Sequence, residues 1–304
     1  MSEVPPWLWI VLTLVAAGAQ TMRNAMQRGL IGEIGTVAAT HVRFLFGLLF
    51  VALAVVLVKV FTGLAPPRPT AAGLAWTFIG AVSQIGGTAL LLAAMRERSF
   101  VTAIAYSKVE PVMVALFGLV FLGEVLSPPM AFAVLLATGG VMVTGWPKEA
   151  GGLAFSRQSV AFGIGSAALF AIAAVGYRGA IVAMPEAHFV VRATTTLFIA
   201  ITIQTVLLTL WLAVRDRDKL AAMVRAWRPS LFAGFLGAFA SQLWFLAFAI
   251  EQVARVRTLA LVEILFGYVL SRRLFSEGVS RREIAGMVLV AAGVALLLNL
   301  PKPG

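Results

Sequence analysis

From Trp7 onward the chain alternates between long apolar runs and short polar clusters. A helix rises ~1.5 Å per residue, so ~20 apolar residues cross the ~30 Å of hydrocarbon in a bilayer. Ten segments meet or approach that length: 7–26, 36–61, 71–95, 101–122, 129–143, 159–182, 189–214, 230–250, 254–274 and 284–300. The breaks between them carry turn chemistry, as in "APPRP", "LSPP" and "EAGG". The fifth run is short and the "RERS" break is tight, so nine and eleven spans stay open beside ten. No basic segment precedes the first run and no clear cleavage site follows it, which predicts a retained first helix rather than a signal peptide.

The two halves echo one another. Glu110 is followed 14 residues later by Glu124 in "VFLGEVLS", and Glu263 is followed 14 residues later by Glu277 in "RLFSEGVS". The same shift of 153 brings Gly140 in "ATGGVMV" onto Gly293 in "VAAGVAL". Upstream, "GAVSQ" at 80–84 matches "AFASQ" at 238–242, and Arg43 in "THVRF" matches Arg192 in "FVVRA". The ordered set predicts a five-helix unit used twice, residues 1–150 and 151–304. Because five is odd, the second copy inserts upside down, as in the inverted repeats of many secondary transporters. The predicted fold class is thus an all-α integral membrane protein with ten transmembrane helices in two inverted five-helix repeats.

With "ALFGLVFLGEVLS" after a proline-bearing fourth run and "AGMVLVAAGVALLL" near the end, the chain resembles the drug/metabolite transporter superfamily, and within it the EamA-like ten-helix branch. The resemblance spans essentially the whole chain. It implies secondary transport by alternating access, but no particular cargo, since members carry amino acids, sugars, nucleotide sugars, choline and drugs. The second half departs from the pattern at Ile264, where the proline of the first half is not repeated.

Composition agrees with a membrane setting: 61% hydrophobic, 12% charged, mean hydropathy +0.96, against about 25% charged in soluble domains. The net charge of +11 would suit nucleic acid only if gathered on one face; here it falls in short clusters between apolar runs, as orientation signals do. With residues near span ends assigned to the adjacent loop, fifteen of the 24 basic residues fall on the side of the odd-numbered loops and six (Lys59, Arg68, Arg178, Arg255, Arg257 and Lys302) on the other; Arg43, Lys108 and Arg192 are left within spans. The positive-inside rule then puts the odd-numbered loops in the cytoplasm and both termini outside, whereas the family resemblance implies termini inside. The chain has no cysteine and two histidines, so thiolate chemistry is excluded and no metal or cofactor site is expected.

Candidate chemistry lies in "AYSKVEPVMVALFG", residues 105–118. A charge at the bilayer centre costs at least ~2.5–3.5 kcal/mol, and intramembrane ionisable groups default to function. Lys108 and Glu110 are two residues apart, about 200° around a helix, so neither can serve the other. Pro111 removes a backbone donor and disfavours helical geometry at Glu110, predicting a kink. Glu263 holds the related place in the ninth span. These carboxylates are candidates to trade a proton for a cationic or zwitterionic cargo; the structural reading is an ion pair with another helix, Lys108 with Glu263, or Glu263 holding Lys108 or Arg257. Ser83 with Gln84 and Ser241 with Gln242 are predicted cavity-lining pairs, with helix–helix bonding as the alternative. Tyr106 and Trp244 offer flat walls or a cation–π surface. Arg43 and Arg192 are expected to snorkel or to cap a neighbouring helix; Glu124 and Glu277 read as interfacial.

The expectation is a secondary transporter, an exporter of a small organic metabolite such as an amino acid, with protons as a candidate coupling ion. It acts without cofactor or nucleic acid, as a monomer or weak dimer in the inner membrane. A membrane-embedded enzyme acting on a lipid-linked substrate, or a channel, is the alternative; no DxxxD, HExxH or GxSxG occurs, and no filter-like loop stands out.

Overall fold

The computed structural model describes residues 4–97, 106–145, 157–185, 187–265 and 280–301, and among them every regular element is helical. In chain order these are α1 (Leu8–Ile34), α2 (Thr36–Thr62), α3 (Ala71–Glu97), α4 (Glu110–Leu122), α5 (Pro128–Gly145), α6 (Arg157–Val182), α7 (Phe189–Arg215), α8 (Arg217–Arg225), α9 (Trp227–Ile250), α10 (Val253–Leu259) and α11 (Arg281–Asn299). A 3-10 turn, Ala260–Val262, extends α10 toward Glu263. The start of the predicted fourth span (101–105), the "EAGG" linker, the end of the ninth span and Glu277 lie outside the described residues.

Six described helices are long and apolar enough to cross a membrane: Val37–Thr62, Ala71–Leu91, Val160–Val182, Phe189–Arg215, Trp227–Ile250 and Arg281–Asn299. Leu8–Arg23, Glu110–Leu122 and Pro128–Thr144 are shorter apolar stretches. The helices turn large apolar side chains outward; Val60 and Val120 are each 71% exposed, and Leu49, Leu53 and Val56 continue the outer face of α2. Such a surface fits hydrocarbon as its solvent, since water would disfavour a patch of that extent.

Helix ends follow local chemistry. Gly63 and Gly123 adopt the left-handed conformation (φ 70° and 66°) that closes α2 and α4 without a Cβ penalty. Ser280 and Glu283 form a reciprocal capping box at the start of α11. The basic segment after the seventh span, counted as a loop in the sequence, folds as α8, a short amphipathic helix with Met223 fully buried. At its start the Asp216 carboxyl accepts a hydrogen bond from Lys219, 2.5 Å away, which holds it below the usual carboxylate range.

The chain forms two compact units, and each draws helices from both sequence halves. One comprises Met1–Val82 with Gly176–Glu251, the other Ser83–Val175 with Gln252–Gly304, so α3 and α6 each begin in one unit and continue into the other. In the first, Ala38, Ala39 and Val42 of α2 pack with Leu212 of α7, Met223 of α8 and Ala233 of α9. In the second, α5 and α11 meet along a seam of small residues. A Cβ at Gly140 would stand 2.6 Å from the Gly286 carbonyl oxygen, and one at Gly293 would stand 2.6 Å from the Ala137 nitrogen. Small residues allow such backbone approach, which is how helices pack when lipid removes the hydrophobic driving force between them.

Candidate functional site

The fourth span is broken where the sequence places its charges. Tyr106 and Ser107 are helical, Lys108 and Val109 form a turn, and α4 starts anew at Glu110 with Pro111 in its first turn. Proline suits that position, because a first-turn N–H has no intrahelical acceptor to lose. The Val109 carbonyl accepts from both Val112 N (3.1 Å) and Met113 N (3.4 Å). The ninth span reaches its glutamate differently: without a proline, α10 tightens into the 3-10 turn immediately before Glu263. Both glutamates therefore follow an irregular turn, produced by different local means.

The charges pair across the two sequence halves. Glu110 is gripped bidentately by Arg257, whose Nε donates to Oε1 and Nη2 to Oε2, each at 2.7 Å. Lys108 pairs with Glu263. Each half supplies one acid and one base, and each acid takes its counter-ion from the other half. All four residues belong to the unit of Ser83–Val175 with Gln252–Gly304. Four unpaired charges would cost on the order of 10 kcal/mol in hydrocarbon, so pairing is what makes the cluster tolerable. Glu110 is buried, while Lys108 keeps 23% of its side chain exposed. The structural reading weighed from the sequence, Lys108 with Glu263, is the geometry found. Arg257, weighed there as a partner of Glu263, instead serves Glu110.

The remaining candidates divide between the units. Ser83, Gln84 and Tyr106 share the unit of the ion pairs, whereas Ser241, Gln242 and Trp244 lie in the other. Ser83 and Gln84 are half-buried, and the Gln84 backbone carbonyl accepts a hydrogen bond from Thr88 Oγ1. Tyr106 packs so close to α6 that a Cβ at Gly163 would stand 2.4 Å from its own Cβ, and its hydroxyl has no hydrogen-bond partner among the described residues. Gln242 Nε2 donates to Thr194 Oγ1 on α7 at 2.8 Å, which is helix–helix bonding, while its Oε1 is buried without a partner among the described residues. Trp244 is buried and stacks with Phe248 at 6.2 Å.

Several basic residues complete helix ends. Arg178 and Arg192 donate to the Phe248 and Ala249 carbonyls (2.5 and 3.0 Å), capping the C-terminus of α9. Arg255 does the same for α11 through Leu297, Leu300 and Pro301. Cations there complement both the orphan carbonyls and the helix dipole. His41 bonds Thr209 Oγ1 at 2.8 Å and His188 caps the start of α7, so each histidine has a packing role. Glu124 accepts from Val253 N at the start of α10. No group of three or more His, Asp or Glu suited to a metal ion occurs among the described residues. Arg43 departs from the expected snorkelling: it is buried, with its guanidinium 4.3 Å from the Phe44 ring centroid.

Comparison with known proteins gives a family and a fold. The profile of the EamA-like transporter family matches twice, over residues 7–146 and 158–299. One solved structure, titled only "Crystal structure of protein", superposes with a TM-score of 0.68 over 95% of this chain and 94% of its own at 16% identity, a likeness of fold alone. No curated protein matches the sequence. With nearly the whole chain covered by two copies of one profile, and long apolar helices to match, this is a multi-pass membrane protein belonging to the EamA-like transporter family of the drug/metabolite transporter superfamily.

Proposed function

We propose that this membrane transporter is a secondary exporter of a small organic metabolite, an amino acid or another zwitterion or cation, that works by alternating access with protons as the candidate coupling ion. Its ten spans form two inverted five-helix repeats, residues 1–150 and 151–304, in the inner membrane, with both termini outside the cytoplasm and a monomer or weak dimer as the working form. The observation that carries this reading is the reciprocal pairing of Glu110 with Arg257 and of Lys108 with Glu263, beside helix irregularities in both halves. Paired charges that join two repeats have two arrangements open to them, closed on each other or opened to cargo and water, and alternating access needs such a bistable element. Ser83, Gln84, Tyr106, Ser241, Gln242 and Trp244 are the proposed cargo-facing groups, and Glu110 and Glu263 the coupling groups.

The test is transport in proteoliposomes screened with radiolabelled amino acids and amines, using Lys108→Ala, Glu110→Gln and Glu263→Gln. Transport by Lys108→Ala is expected to fall at least tenfold. Each glutamine variant is expected to shift the pH profile of uptake. Because both acids are already paired, a bracing role is the second reading. Normal uptake at every pH with a lowered melting temperature would establish bracing and sink the site.

A further inference from the structure

A buried guanidinium edge with no hydrogen-bond partner among the described residues lies elsewhere, in the unit of Met1–Val82 with Gly176–Glu251. Arg43 sits two turns inside α2 and is 7% exposed, yet its Nε and Nη2 have no hydrogen-bond partner among the described residues. Four buried or half-buried arginines contrast with it: Arg178, Arg192 and Arg255 reach backbone carbonyls, and Arg257 holds Glu110. Nε and Nη2 form one edge of the guanidinium, the same fork with which Arg257 grips a carboxylate in this chain. The Phe44 ring covers a face of the Arg43 guanidinium and leaves that edge as its donor side. Tyr177 of α6 lies within electrostatic reach, and Gly237 of α9 packs against the base of the side chain: a Cβ there would stand 3.4 Å from both Arg43 Cβ and Arg23 Cδ. A guanidinium desolvated without an acceptor is among the least favourable arrangements a helix bundle can hold, so its retention calls for a ligand.

We propose that Arg43 binds the carboxylate of the transported solute through its Nε/Nη2 edge. This names a substrate class for the transport reading above and rests on it. A carboxylate matches one guanidinium charge for charge, whereas a phosphomonoester would bring a second negative charge. The four-charge cluster of Lys108, Glu110, Arg257 and Glu263 is already neutral and selects no net charge. An anionic lipid headgroup presents related oxyanion chemistry and is the competing source.

Melting of the purified full chain, followed by intrinsic tryptophan fluorescence, tests this directly. Benzoate, L-leucine and L-phenylalanine are compared with benzamide, leucinamide and phenylalaninamide, in nanodiscs of phosphatidylcholine or of phosphatidylglycerol. At least one acid is expected to raise the melting temperature where its amide does not, with apparent affinity reduced at least tenfold in Arg43→Gln and less in Arg43→Lys. Without ligand, Arg43→Gln is expected to melt no lower than the parent, since it removes a buried unpaired charge. Stabilisation by phosphatidylglycerol alone, lost in Arg43→Gln, would assign the edge to a headgroup and overturn the solute. A lower melting temperature for Arg43→Gln with no acid-specific shift in the parent would make Arg43 structural and also overturn it. Counterflow of the binding acid separates the two claims: binding without transport sinks the transport reading, and transport with no dependence on Arg43 sinks only the assignment made here.

Discussion

Glu110 and Arg257 set the energetics at the residue scale. Removing one member of a buried pair strands the other, at about 3–5 kcal/mol, while replacing both with apolar groups is near neutral. Arg257 keeps 17% of its side chain exposed, which puts the expected loss for Arg257→Met at the lower end, about 3 kcal/mol. Glu110→Leu combined with Arg257→Met should recover most of that stability, as read by reversible unfolding in mixed micelles; additive losses would show that the two side chains do not act as a pair. Gln242 is a milder case. Its bond to Thr194 joins α9 to α7, and such bonds average only ~0.6 kcal/mol in membrane proteins. Gln242→Leu should therefore leave the melting temperature almost unchanged, so any large fall in transport by that variant would report on cargo rather than on folding.

Among the described elements, α5 and α11 bring backbone close to backbone. A Cβ at Gly286 would meet the Gly140 carbonyl oxygen at 2.6 Å and the Thr144 nitrogen at 2.8 Å. Backbone cannot yield as a flexible side chain does, so Gly286→Ala must push the helices apart, at about 1–3 kcal/mol for overpacking. The expected result is a clear drop in melting temperature. An unchanged value would mean that the seam is looser than its distances indicate. The span that carries Glu110 and the span that carries Glu263 both lose regular helix just before the acid, one through Pro111 and one through a 3-10 turn. Proline is visible in sequence. The 3-10 turn arises in "ALVE", which carries no breaker and reads as continuous helix.

For the whole molecule, inverted repeats make a labelling prediction. Positions after the second and seventh spans correspond in the two repeats, so they should open on opposite sides of the membrane. The chain has no native cysteine, so single introduced ones report cleanly. On the charge-count topology, Gly63→Cys should react with an impermeant maleimide in intact cells, and Lys219→Cys only after the inner membrane is permeabilised. Labelling of both from one side would remove the inversion. The reverse assignment would turn the protein over while leaving the repeats intact. Arg178, Arg255 and Arg257, tallied with the non-cytoplasmic loops, are occupied by helix ends or by Glu110. They therefore carry less weight as orientation signals, and the asymmetry among the remaining basic residues is sharper.

Sequence alone located many of the helix boundaries and showed one unit repeated along the chain. The predicted starts of the second, third and seventh spans coincide with α2, α3 and α7, and the ends of the fourth, sixth and eighth with α4, α6 and α9. Each boundary is written locally, in apolar length and in the Gly, Pro and charged residues that interrupt it. It also marked Lys108, Glu110 and Glu263 as residues in need of a reason, because charge in an apolar run is costly wherever the run packs. Which groups satisfy them depended on tertiary structure. Arg257 and Glu110 are 147 residues apart, and no spacing rule joins them, since a periodicity fixes a helix face but not the neighbour it meets. The same limit hid α8, whose basic residues masked one buried methionine, and it hid Arg43: a guanidinium two turns inside a helix reads as snorkelling until the neighbouring helices bury it.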